Sequence, residues 1–199
     1  MNINEIVKNI DIKKVMEAIA LNEISGNTAV AYRFSRASGG NSGYSFGRSQ
    51  FDVSNNKAVS QFLRNKCNFS DEDINTLLRL DKNISELNNK LREHKKKIDE
   101  YDLQHTKEMI NHVASLSRLP DLENEKVFVH LVDYHNQFNL SINGKMHKYL
   151  QSLKFITSEN VLNFKLRQTK WGKEHPSDVI RRYNNIEYHY QHKEGKNHE

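Results

Sequence analysis

The sequence predicts a mainly α-helical fold that contains a small β-hairpin or irregular β segment near residues 31–52. Glycine and proline are scarce, with eight and two residues among 199. Neither occurs between Arg48 and Leu119, which disfavours a mostly-β fold because such folds need frequent turns. Half of the glycines are concentrated in residues 39–47, where a turn is therefore expected.

Composition and charge limit the class of protein. The chain has 30 Lys and Arg against 25 Asp and Glu, a net charge of +5 and a pI near 9.1. Such a balance suits an anionic partner, which could be nucleic acid, an acidic membrane surface or a bacterial wall polymer. The length favours a single domain over residues 1–199. A lone Cys67 excludes an internal disulfide framework and a cysteine-rich zinc module, and no cofactor is expected.

No apolar run approaches the length of a membrane span. The first residues, MNINEIVKNIDIKK, lack the apolar stretch of a secretory signal. We therefore expect a monomer that has no membrane span and is synthesised in the cytoplasm.

Residues 11–24 are predicted to form an amphipathic helix, because Ile12 and Ile19 belong to an apolar series at helical spacing. Gly26 follows as a stop. Glu23 lies on the apolar face of the last turn. Partial burial there would raise the pKa of the carboxyl group, as a general acid for glycosidic bond cleavage requires. The alternative is a helix-end residue bonded to nearby backbone or to an arginine.

Residues 29–53 are predicted to contain the β segment. Tyr32 and Phe34 alternate before the glycines, and Tyr44 and Phe46 alternate after them. Neither GxGxxG nor GxxxxGK[ST] is present, so the segment is not a phosphate loop. Its glycines would let the backbone approach a long polar ligand closely, with an ordinary glycine-containing turn as the alternative.

Helices are predicted for most of the remaining chain. Ser54, Ser70, Ser158 and Ser177 are candidate N-caps. An apolar stripe then predicts a long helix or a helical hairpin over about residues 70–117, with the hairpin breaking near Asp99. The apolar stretch KVFVHLVDYHNQF, which begins at residue 126, is predicted to form a buried helix.

Two motifs in the first 53 residues resemble those of goose-type lysozymes and soluble lytic transglycosylases. NEISGN is similar to the family's helix-ending Glu-Ser pair, and GYSFGRSQFDV is similar to its GxGLMQ(V/I)D motif. The resemblance implies that Glu23 is the catalytic acid, that Ser25 stands one position after the usual serine, and that Asp52 matches the goose-type aspartate. It implies a substrate-binding role for Ser25 and for Tyr44, Gly47, Arg48, Ser49 and Gln50. Arg48 and Ser49 replace the usual Leu-Met.

A third stretch, VDYHNQF, loosely resembles the family's AYN motif, whose tyrosine faces the catalytic acid. Tyr134 takes the tyrosine position, and Asn136 comes one residue late. The resemblance implies that Tyr134 steadies the acid or the sugar and that Asn136 binds substrate. The alternative for Tyr134 is a core tyrosine.

The resemblance further implies a lysozyme-like domain that cleaves the β-1,4 bond between N-acetylmuramic acid and N-acetylglucosamine in bacterial peptidoglycan. A lytic transglycosylase would use the muramic 6-hydroxyl as nucleophile and give a 1,6-anhydro product. A muramidase would use water and a second carboxylate, for which Asp52 is the first candidate and Asp133 the second. Without a secretory signal, the enzyme would reach the wall or periplasm as a phage endolysin released through a holin, or as a toxin delivered by a secretion apparatus. The toxin would have a cognate immunity protein.

A basic helical nucleic-acid-binding or adaptor protein without catalysis is the alternative. The positive charge is spread along the chain and no recognised binding motif occurs, so a nucleic-acid partner is not expected. The basic run REHKKK at residues 92–97 is typical of a solvated helix face. Glu187, His189 and His192 could hold a metal, but their place near the chain end favours solvated side chains, and no metal site is expected.

Overall fold

The computed structural model describes residues 1–37 and 40–191 and confirms the mainly helical prediction. Helix makes up 67% of it, in eleven α-helices over the described residues, together with one two-stranded antiparallel sheet. The chain divides into two compact units. We call Met1–Asn22 with His105–Glu199 the terminal unit, and Glu23–Gln104 the hairpin unit.

The helices, in chain order, are α1 (Ile3–Asn9), α2 (Ile12–Ile24), α3 (Lys57–Cys67), α4 (Asp71–Leu78), α5 (Ser85–Arg92), α6 (Lys95–Ala114), α7 (Glu125–Phe138), α8 (Lys145–Ser152), α9 (Ser158–Gln168), α10 (Lys170–Glu174) and α11 (Pro176–Gln191). A 3₁₀ helix spans Thr28–Tyr32, and the strands are β1 (Ser45–Phe46) and β2 (Phe51–Asp52). The residues of α2 and α6 are divided between the two units. Among the described residues, no helix has the length and apolar character that a membrane crossing requires.

The hairpin unit confirms the predicted β segment. Ser45 pairs with Asp52 and Phe46 with Phe51, so the four residues between the strands form the loop. The Phe46 ring packs within 5.6 Å of the Phe51 ring and 6.1 Å of the Phe62 ring, measured between centroids. The strands are therefore fixed by an aromatic core beneath the hairpin, which stabilises a pair too short to persist alone.

The region predicted as one long helix or a hairpin consists of three helices, α4, α5 and α6. The chain leaves α4 through Leu80, whose φ of 58° is left-handed, and turns again between Arg92 and Lys95. The predicted break near Asp99 is wrong because Asp99 lies within α6.

One of the four predicted N-caps is confirmed, whereas Ser158 and Ser177 lie within α9 and α11. Ser70 forms a capping box with Asp73 at the start of α4. Ser54 does not cap α3. Asn56 does so, because its side-chain oxygen accepts the Ala58 N–H at 3.0 Å.

The core of the terminal unit is centred on α7, as the sequence predicts. Residues 127–134 are buried without interruption, and they include Phe128 and Leu131, which have no exposed surface. A helix buried on all sides must be enclosed by other elements, and α1, α9 and α11 pack against it.

Candidate active site

Glu23 lies in the last turn of α2, where the sequence predicts it, and its side chain is partly buried. The helix ends one residue later because Ser25 and Gly26 both have left-handed backbones, with φ of 54° and 71°. Ser25 is exposed. The carboxyl group therefore stands at a helix end beside a tight turn.

The loop of the hairpin begins with Gly47. Close packing explains why a glycine occupies this position. Its φ is 77°, and a Cβ atom there would lie 2.8 Å from the Phe51 ring. Its N–H donates to the Ala31 carbonyl at 2.7 Å, and its carbonyl accepts the Gln50 N–H at 3.2 Å. The space that was expected to admit a ligand is thus filled by the protein, and substrate binding by Gly47 stays a prediction.

A buried carboxylate holds the next two loop residues. Asp102 of α6 is 0% exposed and accepts the N–H of Arg48 at 2.8 Å and that of Ser49 at 3.1 Å. It also accepts the Ser49 side chain. Burial raises the pKa of Asp102, and these hydrogen bonds offset part of the rise. Ser49 is itself only 6% exposed, so it contributes to this anchor, and its predicted substrate contact stays a prediction.

Arg48 points to a second acid of α6. Its Nη1 lies 2.5 Å from Oδ1 of Asp99, and the Tyr32 hydroxyl donates to the same Asp99 oxygen at 2.7 Å. Burial, together with that hydrogen bond, raises the pKa of Tyr32. The guanidinium charge is therefore balanced within the unit, and its predicted contact with substrate stays a prediction.

Asp52 closes the open end of the hairpin. Its carboxylate accepts the backbone N–H groups of Gly43, Ser54 and Asn55 and the side-chain amide of Asn55, at 2.8–3.3 Å. The arrangement is that of a turn-capping acid, the alternative to a catalytic role. Gly43 is required beside it, because a Cβ atom at Gly43 would lie 2.1 Å from the Ser54 hydroxyl oxygen.

The other two residues of the hairpin that are predicted to bind substrate, Tyr44 and Gln50, also form hydrogen bonds within the protein. The Tyr44 hydroxyl donates to the Asp81 carbonyl at 2.7 Å. Gln50 donates its amide to the Gly47 carbonyl and accepts the Ser35 hydroxyl, both at 3.1 Å. The structure thus brings Glu23, Ser25 and the whole second motif into one compact unit, and it gives most of the motif side chains a supporting role.

Tyr134 and Asn136 belong to the terminal unit, on α7. Tyr134 is 6% exposed and its ring packs 5.1 Å from that of Phe138. Burial raises its pKa to about 12. The side-chain oxygen of Asn136 lies 3.1 Å from Nε2 of His105. The predicted roles of these two residues toward Glu23 and the substrate stay predictions.

Asp133, the second candidate for an assisting carboxylate, is enclosed in the terminal unit. It is 1% exposed and pairs with Arg182 at 2.7 Å and with Lys165 at 3.1 Å. Burial alone would raise the pKa of Asp133, but the two cations outweigh it and hold the pKa well below its usual range. A carboxylate shielded in this way cannot reach a sugar, so its predicted catalytic role is wrong.

A cleft on α8 and α9 of the terminal unit escaped sequence analysis. It consists of a cavity of about 520 Å³ and a smaller one of about 110 Å³, which adjoin because they share Lys145, Phe164 and Gln168. The larger cavity is lined additionally by Lys148, Tyr149, Asn163 and Arg167. A signal existed in the sequence, since basic and aromatic residues recur at helical spacing on both helices.

Of the three C-terminal residues considered as metal ligands, Glu187 and His189 have other partners, and His192 lies outside the described residues. The Glu187 carboxylate pairs with Lys126 at 2.8 Å and His130 at 2.9 Å. Burial opposes its ionisation, but the hydrogen bonds from these two residues prevail and lower its pKa to about 2. Across residues 1–37 and 40–191, no cluster of three His, Cys, Asp or Glu side chains is arranged to hold a metal ion.

Compared with known proteins, the chain matches no family model, no curated protein and no solved structure.

Proposed function

We propose that the protein cleaves the β-1,4 bond between N-acetylmuramic acid and N-acetylglucosamine in peptidoglycan, with Glu23 as the general acid. The observation that carries this proposal is the position of Glu23, a partly buried carboxyl group in the last turn of α2. The same compact unit contains the hairpin with the second motif. A helix-end acid followed by a hairpin is also the order of motifs on which the resemblance rests.

In the proposed reaction, Glu23 gives its proton to the glycosidic oxygen while the bond from that oxygen to C1 of the muramic acid breaks. The muramic acid then carries an oxocarbenium-like C1. In the transglycosylase route, the ionised Glu23 takes the proton of the muramic 6-hydroxyl, whose oxygen bonds to C1. In the muramidase route, a water molecule supplies the oxygen that bonds to C1 and the proton that the ionised Glu23 takes.

The surroundings of Asp52 favour the transglycosylase route. The muramidase route calls for a second carboxylate near C1, and Asp52 is the first candidate. Its oxygens already accept hydrogen bonds from the hairpin backbone and from Asn55. The transglycosylase route needs Glu23 as its only carboxylate, so it does not require Asp52, which caps a turn.

Clearing of purified peptidoglycan by the wild type and by Glu23→Gln tests the proposal. Glu17→Gln is the matched control, because Glu17 is an exposed acid on the same helix. We expect Glu23→Gln to lose about 100-fold or more of the clearing rate, the usual effect of removing a general acid, and Glu17→Gln to retain it. Equal clearing by all three proteins would remove the catalytic assignment and favour a binding or adaptor protein.

Mass spectrometry of the released fragments distinguishes the two routes. Anhydro-muramic ends lack one water relative to reducing ends. Anhydro ends would support the transglycosylase route, and reducing ends would support the muramidase.

A further inference from the structure

The cleft of α8 and α9 has a strongly basic lining. Lys145, Lys148 and Arg167 are exposed, and no acidic side chain lines either cavity. None of these three cations forms an ion pair with any residue that the structure describes. Their uncompensated charge would attract an anion to the cleft.

The smaller cavity offers hydrogen-bond donors that have no acceptor. Helix α8 begins after Gly144, which provides no side-chain cap, so N–H groups of its first turn have no acceptor within the helix. Tyr134 also lines this cavity and is 6% exposed, and its hydroxyl makes no hydrogen bond to a described residue. Because Tyr134 lines the cavity, its hydroxyl can donate to a group bound there. A carboxylate would accept from both the hydroxyl and the helix N-terminus.

The larger cavity suits a sugar better than a nucleic-acid base. Tyr149 offers a partly exposed ring, and Asn163 and Gln168 offer carboxamides that both donate and accept hydrogen bonds. Sugar hydroxyl and N-acetyl groups need both functions. Single-stranded nucleic acid is usually held by stacking successive bases on exposed rings, whereas Phe164, the second ring of this cleft, is 7% exposed.

We propose that this cleft is a second binding site, for a peptidoglycan strand that bears free stem-peptide carboxylates. One carboxylate occupies the smaller cavity against Tyr134 and the first turn of α8, and Lys148 and Arg167 attract further carboxylates along the larger one. The inference rests on the proposed function for its choice of ligand. It is tested by binding alone, which does not require cleavage.

The test is co-sedimentation with insoluble peptidoglycan freed of teichoic acid, with all proteins carrying Glu23→Gln. The cleft variant combines Lys145→Glu, Lys148→Glu and Arg167→Glu. The control combines Lys13→Glu, Lys96→Glu and Lys107→Glu, three exposed lysines outside the cleft that give the same change in net charge. We expect the cleft variant to bind at least about tenfold more weakly, and the control to bind within about twofold of the parent.

Two further arms identify the ligand group. Peptidoglycan whose carboxyl groups have been amidated should bind the parent protein about as weakly as native peptidoglycan binds the cleft variant. Tyr134→Phe should weaken binding by a few-fold without lowering the melting temperature, because it removes one hydroxyl that has no hydrogen-bond partner among the described residues.

Equal weakening in the cleft variant and the control would overturn the inference, since it would reveal a general effect of charge. Undiminished binding to amidated peptidoglycan would overturn it as well. Tighter binding of a single-stranded oligonucleotide, lost in the cleft variant, would assign the cleft to nucleic acid instead. Failure of the proposed function would be seen in a different experiment, as full clearing of peptidoglycan by Glu23→Gln. The co-sedimentation result does not depend on that outcome.

Discussion

Asp102 accepts the backbone N–H of Ser49 at 3.1 Å across 53 positions of sequence. The same carboxylate accepts the N–H of Arg48, so one acid of α6 orders two consecutive residues of the hairpin loop. The loop is therefore held by hydrogen bonds to α6 as well as by the aromatic core beneath the strands.

Asp102→Asn should destabilise the protein by about 1–3 kcal/mol. The substitution keeps the shape of the side chain but turns one acceptor oxygen into a donor, which then faces the N–H of Arg48 or Ser49 in a buried site. Urea unfolding at neutral pH measures the effect. Asp81→Asn is the control, because Asp81 is partly exposed and pairs at the surface, and it should change stability by less than about 0.5 kcal/mol. An unchanged midpoint for Asp102→Asn would contradict the anchoring role.

Gly47→Ala should be more destabilising than Gly40→Ala. Both glycines have left-handed backbones, with φ of 77° and 75°, so both variants pay the strain of about 1–2 kcal/mol for a Cβ in that region. At Gly47 the new methyl group would also lie 2.8 Å from the Phe51 ring, whereas no atom of the other described residues lies within 4 Å at Gly40. The additional overpacking should cost about 1–3 kcal/mol. Thermal unfolding of the two variants measures this steric difference. Equal losses of stability in Gly47→Ala and Gly40→Ala would contradict it.

Asp52→Asn should lower stability but leave peptidoglycan clearing by the folded protein near the wild-type rate. The carboxylate accepts hydrogen bonds at the open end of the hairpin, and losing one acceptor oxygen there should cost about 1–2 kcal/mol. Clearing measured at a temperature well below the melting temperature should therefore remain near the wild-type rate. A loss of about 100-fold at unchanged stability would instead make Asp52 the second catalytic carboxylate.

The elements that the sequence predicted correctly depend on local patterns. Helix α2 follows from apolar residues at helical spacing, and the hairpin follows from alternating aromatics around a glycine cluster. Ser70 was identifiable because a serine before three acids is a local N-terminal signal. The candidate acid Glu23 was found in the same way, from its place in the helical period.

The features that were missed depend on contacts between distant residues or on an uncommon backbone. Asp99 and Asp102 lie about 50 positions from the loop that they hold, and no local pattern joins them. The turn at Leu80 gives no sequence signal, because it contains neither glycine nor proline. A leucine adopts the left-handed conformation there. No local pattern shows that Asp133 is ion-paired, since its two cations, Lys165 and Arg182, come from other helices.

Asp133→Asn should destabilise the protein by about 3–5 kcal/mol, because it removes a buried negative charge that pairs with the buried cations Lys165 and Arg182. Urea unfolding measures the change. Asp121→Asn is the matched control, since the Asp121 side chain is 63% exposed and should matter by less than about 0.5 kcal/mol. Clearing by whatever fraction of Asp133→Asn stays folded should match the wild type, whereas inactivity of the folded protein would return Asp133 to the active site.

Stability should fall as the pH drops from about 6.5 toward 4, in part through His135. Burial, together with the nearby His112 and His105, lowers the pKa of His135 from 6.5 to about 4. The unfolded chain therefore binds a proton in this window that the folded chain does not bind. Stability is complete above the unfolded pKa and is lost as the pH falls through the folded one. Structurally, the Nδ1 atom of neutral His135 accepts the Leu140 N–H at 2.9 Å, and protonation would remove this acceptor.

His135→Asn should flatten this pH dependence, because the Asn carboxamide oxygen can accept the Leu140 N–H and does not titrate. Urea unfolding at several pH values between 4 and 7 measures the slope. His94→Asn, outside the cluster, should keep the wild-type slope. Some slope should persist in His135→Asn, since burial also lowers the pKa of His130. A slope identical in both variants and the wild type would show that His135 does not contribute to acid sensitivity.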